Sequence, residues 1–68
     1  MDKEKLYAEM TQRGVSHHDM CVSLDMSRSA FYRKCNGKSE FTHSEIQKIV
    51  DVLGLESPMG IFFAQKVS

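Results

Sequence analysis

The sequence predicts a small all-α domain of five helices, on three observations. Residues that cap helix starts (Asp2, Ser16, Ser27, Thr42, Ser57) take turns along the chain with residues that stop helices (Gly14, Asp25, Gly37, Gly54). Between them apolar side chains recur at helical spacing, most clearly Ile46, Ile49, Val50 and Leu53 at i, i+3, i+4, i+7. No stretch alternates apolar and polar residues as a half-buried strand would. The 68 residues hold no repeat, no low-complexity tract and no linker long enough to divide them, so one domain spanning 1–68 is expected. A chain this short buries only about 60% of its unfolded surface, which suffices for one small core.

Asp2 caps a first helix that runs to about Arg13, with Leu6 and Met10 on one face, Tyr7 beside them and Gly14 as the stop. Ser16 caps the second helix, and Ser16-His17-His18-Asp19 is a capping box with Asp in place of Glu. Met20, Cys21 and Leu24 form its inward stripe, Val15 staples onto Met20, and Asp25 ends it. Ser27 caps the third helix. Ala30, Phe31 and Cys35 face inward there, Met26 staples onto Phe31, and Asn36-Gly37 closes it. Thr42 caps the fourth helix, where Thr42-His43-Ser44-Glu45 is a full capping box, Phe41 staples onto Ile46 and Gly54 is the stop. Ser57-Pro58 opens a short fifth helix carrying Met59, Ile61, Phe62 and Phe63. Adjacent helical side chains point about 100° apart, so Phe62 and Phe63 cannot share a direction. One of them, with Met59, is a candidate dimer interface.

Composition narrows the function. The hydrophobic share of 41% is that of a globular chain rather than a disordered one. No leader of the secretory kind and no apolar run near the roughly 18 residues of a membrane span is read, and Cys21 and Cys35 stand alone, so a cytoplasmic protein with reduced thiols is expected. His17, His18 and Cys21 share helical spacing, but no fourth ligand lies nearby and Cys21 belongs to the core, so no metal or other cofactor is expected. No nucleophile elbow, phosphate loop or metal-ligand pattern suggests an enzyme, and no small-molecule substrate is evident.

Net charge is zero, which taken alone argues against nucleic acid. Its distribution argues the other way. Residues 27–38 hold four cations, Arg28, Arg33, Lys34 and Lys38, and no acid, leaving five basic against nine acidic residues elsewhere. Three of the helices place acids in the first turn (Asp2 and Glu4, Asp19, Glu45), where the helix dipole favours them; the third begins with Arg28. An outside anion at that end would offset the unfavourable cation. Helices two and three are joined by only Asp25 and Met26, as in a helix-turn-helix, about 16–37 in all.

The run Ser27-Arg28-Ser29-x-Phe31-x-Arg33-Lys34-x-Asn36-Gly37-Lys38-Ser39-Glu40-Phe41-Thr42, followed by Glu45-Ile46-Gln47-Lys48-Ile49-x-x-Val52-Leu53-Gly54-Leu55, resembles the lambda-repressor-like (Xre/Cro-type) helix-turn-helix DNA-binding family, over nearly the whole chain. The resemblance implies a compact five-helix fold with the third helix in the major groove. It implies base-reading positions at Ser27, Arg28, Ser29, Tyr32 and Arg33 and a phosphate contact from His17; Ser27, Lys38 and Ser39 are expected to hold phosphates as well. His17 stands where the family more often has Gln, Cys21 where a small residue is needed, and Asp25 where Gly is usual.

The expectation is a sequence-specific transcriptional regulator, a repressor of phage or mobile-element type in a bacterial cytoplasm, binding a palindromic operator in double-stranded DNA as a homodimer. Arg28, Arg33 and Lys34 also admit a plainer reading as a solvated face, with Lys34 snorkelling over the core, and Tyr32 as a half-buried packing residue. His17 is read as a surface residue whose protonation would add a phosphate contact. The rival class is a protein-interaction module on the same fold, an antirepressor or complex subunit, which zero net charge and the apolar 59–64 segment favour.

Overall fold

Four helices form where caps and stops predict them. In the computed structural model, which describes residues 1–56 and 60–62, they are α1 (Lys3–Gln12), α2 (His17–Leu24), α3 (Arg28–Cys35) and α4 (His43–Leu53), with no strand among the described residues. Each start has the expected cap. Asp2, Ser16, Ser27 and Thr42 accept from the backbone N–H three residues on, and Glu45 returns the bond to the Thr42 N–H, completing the capping box.

The ends share one chemistry. Gly14, Asp25, Gly37 and Gly54 all take positive φ. The next residue's N–H then reaches back to a carbonyl in the last turn: Val15 to Met10, Met26 to Cys21, Lys38 to Arg33, Leu55 to Val50. Val15, Met26 and Leu55 then lie half-buried against the core, while Lys38 stays exposed. Val15 and Met26 thus close one helix and anchor the start of the next, which keeps both links short.

The core is the one the periodicity marks. Leu6 and Met10 of α1, Met20, Cys21 and Leu24 of α2, Phe31 and Cys35 of α3, and Ile49 and Leu53 of α4 are buried, joined by Ile61 and Phe62. Phe31 has no exposed surface and lies edge-on to Phe41, which lies edge-on to Phe62. No buried polar residue interrupts this core among the described residues.

The fifth helix is not observed as such. Residues 57–59 and 63–68 lie outside the described residues, and Gly60–Phe62 form a turn. The Ile61 carbonyl there accepts from the Asp2 N–H at 2.7 Å, tying this turn to the start of α1. No helix among the described residues is long and apolar enough to cross a membrane.

Candidate nucleic-acid interface

The geometry of α3 follows from an eight-residue helix with a 100° step. Arg28, Ser29, Tyr32 and Arg33 fall within an arc of about 140°. All four are exposed, and Tyr32 retains 39% of its surface. Phe31 and Cys35 lie outside that arc, in the core. Neither Arg28 nor Arg33 is in an ion pair among the described residues, whose two salt bridges are Arg13–Glu9 and Lys34–Glu45. The first turn of α3 holds no acid; those of α1, α2 and α4 hold Glu4, Asp19 and Glu45.

The flanking positions lie at the two ends of this face. Ser27 Oγ accepts from the Ala30 N–H at 3.1 Å, which leaves its hydroxyl hydrogen available to an outside acceptor. Lys38 and Ser39 are exposed in the loop after α3. The C-terminal end of the helix is fastened to α1: Lys3 Nζ donates to Asn36 Oδ1 at 2.7 Å, and Asn36 Nδ2 donates to the Tyr32 carbonyl at 2.8 Å.

His17 departs from the surface position expected of it. Its ring is half-buried, with centroids 4.8 Å from Tyr7, 5.6 Å from Tyr32 and 5.8 Å from Phe31. Nδ1 is buried without a hydrogen-bond partner, so any contact with an outside group would be made through Nε2. The imidazole therefore packs between α1 and α3 and supports the Tyr32 ring. This role was not legible locally, because its partners come from two other helices.

Lys34 departs from the open basic cluster. Its Nζ donates to Glu45 Oε1 at 2.7 Å, with only 17% and 20% of the two side chains exposed, and it lies 5.9 Å from the centroid of Phe41. Burial by itself would raise the Glu45 carboxyl. The Lys34 ammonium and the Thr42 N–H outweigh it and hold the carboxyl below its usual range.

The remaining titratable groups are packing groups. Burial pushes the Tyr7 hydroxyl up to about 12, with the neighbouring Cys35 thiol adding to the shift. Burial likewise raises both free thiols, Cys21 and Cys35, so neither is an activated nucleophile. Among the described residues no three His, Cys, Asp or Glu side chains gather to hold a metal ion.

The residues considered for a subunit interface are only partly placed. Phe62 is 8% exposed and belongs to the core against Phe41, so it is covered within one chain rather than offered to a second. Met59 and Phe63 lie outside the described residues. Comparison with protein-family models, curated proteins and solved structures returned no match.

Proposed function

We propose that this protein is a sequence-specific DNA-binding transcriptional regulator, a repressor of the lambda-repressor-like kind, in which α2 and α3 act as a helix-turn-helix and α3 enters the major groove. One observation carries the reading: both ends of α3 break the rule the other helices follow, and both break it toward positive charge. Its first turn holds Arg28 and no acid, whereas each of the others holds an acid, and its closing residue is the exposed Lys38 where the others have half-buried apolar ones. Between those ends lies the exposed face of Arg28, Ser29, Tyr32 and Arg33. An α-helix with its side chains is about 10–12 Å across, close to the width of the major groove. Base edges would meet that face, with Arg28 or Arg33 bidentate to a guanine, while Ser27, Lys38, Ser39 and His17 through Nε2 hold phosphates on either side.

A single face of this size makes few contacts, so two chains on a palindromic operator, with half-sites roughly 34 Å apart, complete the proposal. The cytoplasm of a bacterium and a phage or mobile-element origin belong to the same proposal and rest on the resemblance. The interaction-module reading draws on zero net charge and on Val22, an α2 residue 65% exposed. Selection of bound duplexes from a random DNA pool separates the two. The regulator enriches a two-fold symmetric site, and the module enriches nothing above background.

A further inference from the structure

Within the proposed DNA-binding reading, on which this rests, we infer that Lys34 is a positioning residue rather than a DNA contact: its bond to Glu45 fixes how α3 sits on α4, and base discrimination depends on it.

Helical geometry puts Lys34 about 170° around α3 from the middle of the Arg28–Arg33 face, on the side turned toward α4. There its ammonium donates at 2.7 Å to Glu45 Oε1. That same oxygen accepts from the Thr42 N–H at 2.9 Å, so one carboxylate atom both starts α4 and grips α3. The Lys34 ammonium lies over the ring of Phe41, which is edge-on to Phe31, the fully buried anchor of α3. Lys34 and Phe41 also line an open cleft of about 600 Å³ with Cys35, Ile46 and Phe62, away from the Arg28–Arg33 face.

A bidentate contact from arginine to guanine tolerates little displacement, since hydrogen bonds weaken steeply with angle. A helix only two turns long is anchored by its buried Phe31 and Cys35, and polar bonds at its margins add restraints against rocking about its axis. The Lys34–Glu45 bond supplies one on the α4 side, and Lys3–Asn36 supplies one on the α1 side. Phosphate contacts from flexible side chains tolerate displacement better, so loosening α3 should affect discrimination more than total affinity.

The test measures binding to the duplex selected from a random pool and to a scrambled one, over a series of salt concentrations. The proteins are the wild type, Lys34→Met, Glu45→Gln, the double variant and Lys38→Ala. Glu45→Gln keeps an acceptor for the Thr42 N–H while removing the charge that holds Lys34. Lys34→Met and Glu45→Gln are each expected to lower the selected-to-scrambled ratio by about fivefold, and the double variant to lower it no further than either single change. Lys34→Met leaves the salt slope as in the wild type, whereas Lys38→Ala reduces it by about one. Thermal unfolding of each variant shows that the chain is folded at the temperature used, and Lys34→Gln replaces Lys34→Met if it is not. A slope reduced by one in the Lys34 variant, an unchanged ratio, or additive effects in the double variant would each overturn the positioning role while leaving the DNA reading intact. A wild type that binds no duplex at any salt concentration overturns both.

Discussion

Asp25 holds the left-handed backbone at φ 56°, ψ 48° that ends α2, and its side chain has no hydrogen-bond partner among the described residues. A residue with a Cβ is disfavoured there and glycine is not. Asp25→Gly should therefore raise stability by about 0.5–1 kcal/mol, read as a higher thermal midpoint, and Asp25→Ala should lower it. The stop at Asp25 was legible because it depends on one residue's own conformational tolerance. The burial of His17 was not, because it depends on rings brought up from α1 and α3. Replacing His17 by Ala removes aromatic contacts to Tyr7, Phe31 and Tyr32 and should cost about 2 kcal/mol in urea unfolding. Phe31→Ala, at a site with no exposed surface, should cost about 3–5 kcal/mol, enough to unfold much of a domain this small.

At the scale of elements, the four starts and four stops were readable because capping is chemistry between near neighbours. The fifth helix was read from the same kind of signal, Ser57-Pro58, but those residues lie outside the described part, of which 60–62 form a turn whose Ile61 carbonyl accepts from the Asp2 N–H. The pairing of α3 with α4 through Lys34 and Glu45 could not be read from local spacing, since it joins different helices. It has a pH signature. The folded Glu45 carboxyl titrates below its ordinary value of 4.5, so the stability it contributes is complete above that value and is lost as pH falls through the lower, folded one. Acid unfolding of the wild type should therefore steepen below about pH 4.5 relative to Glu45→Gln, in which that component is absent. Thermal midpoints measured across that range check it.

The chain is neutral, yet Arg28, Arg33 and Lys38 are exposed along and just beyond one short helix, with Lys34 drawn away onto Glu45. The set of exposed cations on α3 is thus smaller than the sequence count implied. Binding to DNA, if carried by this face, should be modest for one chain and markedly salt-sensitive, each phosphate contact adding about 0.9 to the slope of log affinity against log salt. The central claim is that the outward face of α3 and its two flanks form the DNA surface. Its most direct measurement is an amide chemical-shift titration of the protein with a short duplex at low salt. Shifts are expected to concentrate at Ser27, Arg28, Ser29, Tyr32, Arg33, Lys38 and Ser39. Shifts confined to α1 and α4, or no shifts at any duplex concentration, would contradict it.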